Sequence, residues 1–157
     1  SIKKLNYDVS DKSIVIIGAG GVVPSIIYAL KRMNASRIFL INRTKENAFK
    51  LKNLFNDLTI LDWGKFPNFD MIINATSLGL NENDKFDIDF EQLGENKFYY
   101  DVIYEPYETE FSKAGSLEGN TYENGLNMFL FQGQKAFNIW HNIEPDINEE
   151  VVKFIKS

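Results

Sequence analysis

Ile14-Val15-Ile16-Ile17 runs without a break into Gly18-Ala19-Gly20-Gly21, and this junction limits the fold more than any other stretch of the 157 residues. Four consecutive β-branched residues with no polar alternation describe a strand buried on both faces, the condition of a central strand in a parallel sheet. Beyond the glycines, Val23, Ile26, Ile27 and Leu30 recur at helical spacing, which predicts a helix over 22–33. Pro24 falls in its first turn, where a missing N–H does little harm. A buried strand that turns through glycine into an amphipathic helix is the first half of a βαβ unit.

The alternation continues along the chain. Residues 37–41 read as a second strand, 45–55 as a second helix and 58–61 as a short third strand, which completes one mononucleotide-binding half. The second half is less regular, with strands at 71–73 and 98–103, a weaker one near 120–122, a long helix over about 126–140 and a closing helix over 147–155. The expected fold is a three-layer α/β domain of the Rossmann type: a doubly wound, mainly parallel sheet with helices on both faces. The length suits one such domain over 1–157.

Composition narrows the partners. The formal net charge of -5 argues against nucleic acid, which demands a basic surface. The absence of cysteine removes disulfides and thiolate metal sites and suits a reducing compartment. No apolar run approaches the roughly 20 residues needed to span a bilayer, and no signal peptide precedes the first strand, so a cytoplasmic protein without a membrane partner is expected. Glu82, Asp84, Asp87, Asp89 and Glu91 lie in a polar stretch without an aspartate-glycine calcium pattern and read as a solvated surface; no metal is expected. His141, the only histidine, stands near a helix end and reads as exposed or dipole-facing rather than catalytic.

The glycine junction carries chemistry as well. Glycine there permits a tight turn and lets the backbone approach a pyrophosphate, which then sits on free N–H groups at the positive end of the helix dipole. An ordinary strand-to-helix turn is the plainer alternative. Val23 replaces the third glycine of the Gly-x-Gly-x-x-Gly pattern, which implies a helix standing slightly farther from the sheet. NAD-binding units place a carboxylate at the end of the second strand to receive the adenosine ribose hydroxyl. Here Asn42-Arg43-Thr44-Lys45 stand instead, with no carboxylate before Glu46. The guanidinium of Arg43 offers paired donors to a 2′-phosphate, and Thr44 and Lys45 add a hydroxyl and a second charge. The expected cofactor is therefore NADP, held by Gly18, Ala19, Gly20, Gly21 and Val22 at its pyrophosphate and by Asn42, Arg43, Thr44 and Lys45 at its 2′-phosphate. The alternative is that Arg43 and Lys45 decorate an exposed loop and begin a solvated helix.

Several segments, in order, resemble the shikimate dehydrogenase family. Gly18-Ala19-Gly20-Gly21 resembles its phosphate loop, and Asn42-Arg43-Thr44 its Asn-Arg-Thr motif. Asn74-Ala75-Thr76-Ser77-Leu78-Gly79 is similar to its Asn-Ala-Thr segment, and Asp101-Val102-Ile103-Tyr104-Glu105-Pro106 with Thr109 is similar to its Asp-x-x-Tyr-x-Pro-x-x-Thr stretch. Gly125-Leu126-Asn127-Met128 with Gln132 resembles its closing Gly-x-x-Met-x-x-x-Gln pattern. The resemblance implies that Asn74, Ala75, Thr76, Ser77 and Val102 line the cofactor. It also implies that Gly125 offers exposed backbone groups to the nicotinamide carboxamide, that Met128 packs beside the nicotinamide, and that Tyr104 and Gln132 contact substrate. Read without the resemblance, Asn74 and Thr76 cap the following turn, Tyr104 is core or rim, and Gln132 either seeks a partner on a greasy helix or faces water.

The resemblance further implies that the lysine and aspartate acting on the substrate carbonyl belong to an N-terminal domain. Neither motif appears here, so no catalytic residue is expected. Residues 1–12 then form a connecting helix or linker, 126–157 the C-terminal helices that close the fold, and the amphipathic piece 2–7 has too little around it to pack against. The chain is expected to be part of a longer enzyme, monomer or homodimer, that reduces 3-dehydroshikimate to shikimate with NADPH in aromatic amino-acid synthesis. The alternatives are a quinate/shikimate dehydrogenase with dual cofactor use, against which Arg43 speaks, and a non-catalytic NADP-binding regulatory module.

Overall fold

The computed structural model describes residues 1–155 other than Glu82 and Glu118; Glu82, one of the acids read as a solvated surface, lies outside the described residues. Its centre is β1 (Ser13–Ile17), in which all five residues are buried. Ile14 and Ile16 join one apolar cluster and Val15 and Ile17 another, so the strand feeds the cores on both sides of the sheet. Burying such side chains contributes roughly 2 kcal/mol each.

From β1 the chain passes through α1 (Val23–Arg32) to β2 (Arg37–Ile41), then α2 (Lys45–Leu54) and β3 (Thr59–Leu61). β4 (Met71–Asn74), β5 (Phe98–Asp101) and β6 (Thr121–Glu123) follow, with α3 (Glu110–Gly115) between the last two. Two helices end the chain, α4 (Leu126–His141) and α5 (Glu149–Ile155). The six strands lie in the order β3-β2-β1-β4-β5-β6, and every described pairing is parallel. Val23, Ile27 and Leu30 of α1 and Ala48 and Leu51 of α2 cover one face, while Phe111 and Ala114 of α3, with Phe86 and Phe90, cover the other.

Three features differ from expectation. The short helix α3 has little periodic signal of its own and forms on a capping box, in which Ser112 N–H donates to the Thr109 hydroxyl and Thr109 N–H to that of Ser112. β5 stops at Asp101 instead of continuing to Ile103, because Ile103 N–H turns back to the Asp101 carboxylate at 3.0 Å. Residues 1–12, expected as a connecting helix or linker, hold one 3₁₀ turn, Lys3–Leu5, closed by Asn6 in the left-handed conformation. Nor does this segment lack surroundings: Ile2 and Tyr7 pack on the first cluster, and the Tyr7 ring lies 4.4 Å from that of Phe98.

Candidate functional site

Gly18 lets β1 turn sharply at the carboxyl edge of the sheet. Its φ is +112°, and a Cβ there would sit 2.5 Å from the Ala75 carbonyl oxygen, so both backbone conformation and space demand glycine. Gly20 and Gly21 differ, since a Cβ on either would meet nothing within 4 Å. The fold itself does not require them. Past this turn, α1 begins with no side-chain cap, and the N–H groups of Gly20, Gly21 and Val22 have no hydrogen-bond acceptor among the described residues. Free donors at a helix N-terminus, in front of open space, form an anion seat.

The neighbouring strand ends complete a cleft of about 500 Å³. Its walls come from Gly18, Ala19 and Gly20 after β1, Asn42, Arg43 and Thr44 after β2, and Ala75, Thr76 and Ser77 after β4. Asn42 Nδ2 donates to the Thr44 carbonyl at 2.7 Å and so shapes the loop. The exposed guanidinium of Arg43 and the hydroxyl of Thr44 have no partner among the described residues. Lys45, expected as the second cation, is instead paired with Asp62, and that ammonium holds the Asp62 carboxyl below the usual carboxylate range. Four lining residues carried no motif in the sequence: Asn47, Trp63, Lys85 and Asp87. Asn47 falls in the first turn of α2, three residues past its Thr44 N-cap; no local signal marks the other three.

Asn74 lies beneath the cleft rather than in its wall. Fully buried, it donates to Asp101 Oδ1 at 2.9 Å and to the Leu78 carbonyl at 3.2 Å, while its own Oδ1 accepts from the N–H and hydroxyl of Thr76. Turn capping, the role read without the resemblance, is thus what this side chain does. Asp101 in turn accepts from Ile103 N–H and from the Thr109 hydroxyl, at 3.0 and 3.1 Å. Burial pushes its carboxyl up to about 6, against the opposing pull of these hydrogen bonds.

The remaining sequence-derived residues fall elsewhere. Gly125 offers no exposed backbone: it is buried, its N–H donates to the Ile103 carbonyl at 3.0 Å, and its carbonyl accepts from Phe129 N–H at 2.9 Å. A Cβ on Gly125 would fall 2.0 Å from the carbonyl oxygen of Val102, so this glycine serves a backbone crossing between α4 and the end of β5. Met128 lines a separate apolar cavity of about 220 Å³ with Ile26 of α1, Met33 just past its end and Tyr100 of β5. Tyr104 borders a hollow of about 250 Å³ and stacks on Phe129 at 4.7 Å. Gln132 is exposed, one helical turn beyond Phe129. The structure therefore gathers Gly18 to Gly20, Asn42 to Thr44 and Ala75 to Ser77 around one cleft and leaves Met128, Tyr104 and Gln132 outside its lining.

A parallel sheet in this order, with a glycine turn and free helix N–H groups at its carboxyl edge, defines an α/β domain of the Rossmann type. The family model described as shikimate / quinate 5-dehydrogenase matches residues 1–81. The NADP(+) shikimate dehydrogenase of Pelagibacter ubique is 46% identical over 99% of this chain. Among solved structures, shikimate dehydrogenase from Aquifex aeolicus superimposes with a TM-score of 0.82 at 36% identity, covering 93% of this chain and 54% of its own. The Thermus thermophilus enzyme, solved with NADP(H) and shikimate, gives 0.81 at 26% identity over 92% of this chain and 54% of its own. The chain belongs to the shikimate/quinate 5-dehydrogenase family. It spans 58% of the length of the Pelagibacter relative.

Proposed function

We propose that this chain is the NADP-binding region of an NADP-dependent shikimate dehydrogenase, which reduces 3-dehydroshikimate to shikimate with NADPH. The observation that carries this reading is the pairing, within one cleft, of glycines the fold does not need with a guanidinium that has no partner among the described residues. The pyrophosphate would rest on the N–H groups of Gly20, Gly21 and Val22, and Arg43 with Thr44 would receive the 2′-phosphate. The cofactor supplies the hydride; this chain's residues bind and orient it. In support, the Pelagibacter relative bears an NADP(+) name.

The residues that act on the substrate carbonyl belong, in this proposal, to the portion of the relatives that this chain does not match, so the chain alone binds cofactor and turns nothing over. Exposed apolar side chains on and beyond α4, among them Ile139, Trp140, Ile143 and Phe154, suit a surface that the rest of such an enzyme covers. Residues 126–155 would then join that other part as much as the sheet.

Calorimetric titration with NADP and NAD, on this chain and on Arg43→Ala, tests the assignment. NADP should bind more tightly than NAD, and the variant should lose about 1.5 to 3 kcal/mol of NADP binding, tenfold or more, with NAD little changed. Equal affinities in the unmodified chain would sink it.

A further inference from the structure

Trp63 stands two positions past the end of β3, on the wall of the same cleft. Part of its surface packs on the second apolar cluster and the rest is open. No ring contact and no hydrogen bond engages it among the described residues. The open part of the indole adds flat aromatic surface to the cleft.

Its position along the sheet edge suggests an occupant. The glycine turn lies at the end of β1, Arg43 at the end of β2 and Trp63 beyond the end of β3, and these three strands are consecutive neighbours in the sheet. In an adenosine dinucleotide, the pyrophosphate, the 2′-phosphate-bearing ribose and the base follow one another in that order. With the pyrophosphate on the free N–H groups and the 2′-phosphate on Arg43, the base is carried toward β3, where Trp63 is the aromatic side chain lining the cleft.

We propose that Trp63 is the stacking platform for the adenine ring, a contact that none of the family motifs carries. Stacking on an aromatic face tolerates any orientation of the base's polar edge and adds affinity without selecting between NAD and NADP. That division leaves Arg43 to set the preference and Trp63 to add to the binding of both. The inference rests on the cofactor reading above, and its test separates the two.

The chain has two tryptophans, and Trp140 is 76% exposed near the end of α4, so Trp140→Phe makes Trp63 the sole reporter. This variant is titrated with adenosine 2′,5′-bisphosphate and with nicotinamide mononucleotide, following tryptophan emission and heat in parallel. The bisphosphate should quench emission saturably, at the same midpoint as the heat, and the mononucleotide should not. Trp63→Leu should bind the bisphosphate roughly tenfold more weakly, and Trp63→Phe should recover most of that loss. Heat of binding with unchanged emission and undiminished affinity in Trp63→Leu overturns the platform and leaves the cofactor reading standing. No heat with the bisphosphate overturns both, and quenching by the mononucleotide alone places the base elsewhere and overturns the platform.

Discussion

The side-chain amide of Asn74 and the carboxylate of Asp101 meet at 2.9 Å, both fully buried, and tie the end of β4 to the end of β5 beneath the cleft. Burial dominates the titration of Asp101, raising its folded pKa to about 6 against roughly 3.9 unfolded. A group with a raised folded pKa gives stability that is full below the unfolded value and is lost as pH rises through the folded one. We therefore expect the difference in unfolding free energy between this chain and Asp101→Asn to change by about 2–3 kcal/mol between pH 4 and pH 7, in the direction that disfavours the unmodified chain at the higher pH. Urea titrations at several pH values measure it, and parallel curves for the two proteins would refute it.

The glycines of the turn separate into two kinds, and substitution should show it. Gly18→Ala places a methyl group against the Ala75 carbonyl at a φ of +112° and should destabilise by 2 kcal/mol or more. Gly20→Ala meets open space, so we expect a stability change within about 0.5 kcal/mol and a tenfold or greater loss of nucleotide affinity. Thermal melts with calorimetry distinguish the two. A Gly20→Ala protein that binds NADP normally would remove the main support for the cleft's assignment.

Lys45 is held by Asp62 at the surface, and exposed pairs of this kind are weak. Lys45→Ala should cost NADP binding less than Arg43→Ala does. Asp62→Asn, which releases the ammonium and removes a nearby negative charge, should tighten NADP a few-fold and leave NAD unchanged. If Lys45→Ala costs as much as Arg43→Ala, the lysine leaves its partner when nucleotide arrives.

Tyr99 is wholly buried, and its hydroxyl has no hydrogen-bond partner among the described residues. Burial pushes its phenol up to about 12. Removing an unsatisfied buried hydroxyl is neutral or favourable, so Tyr99→Phe should hold or raise the melting temperature, by up to about 1 kcal/mol of stability. A fall of several degrees would reveal a partner for the hydroxyl.

The first half of the fold was legible because each strand and its helix announce themselves locally: β1 by its unbroken β-branched run, α1 by Val23, Ile27 and Leu30 at helical spacing. The second half was harder. α3 rests on a Thr109–Ser112 cap and one large buried residue, Phe111, which leave no period to read. The cleft divides likewise. Gly18 to Gly20 and Asn42 to Thr44 are contiguous motifs, whereas Trp63, Lys85 and Asp87 reach the same space on loops whose course depends on distant packing, such as Phe86 against Phe90 and Phe111. Gly125 carries a constraint that its motif does not spell out. Its need for glycine comes from the Val102 carbonyl, a contact made only when α4 docks, and sequence spacing does not encode it.

The order in which β1 acquires its neighbours has a kinetic consequence. β2 returns to β1 after one helix, but β4 arrives only when a long loop closes, as the Ser13 N–H to Asp70 carboxylate bond across 57 residues marks. Such closure is slow, because chain entropy is lost before the distant contacts form. Ala75, which packs against the Gly18 turn, follows β4 directly, so the nucleotide cleft exists only after that late event. We expect added NADP to slow unfolding in stopped-flow traces while leaving the refolding rate unchanged, since a transition state without β4 in place has nothing for the nucleotide to hold.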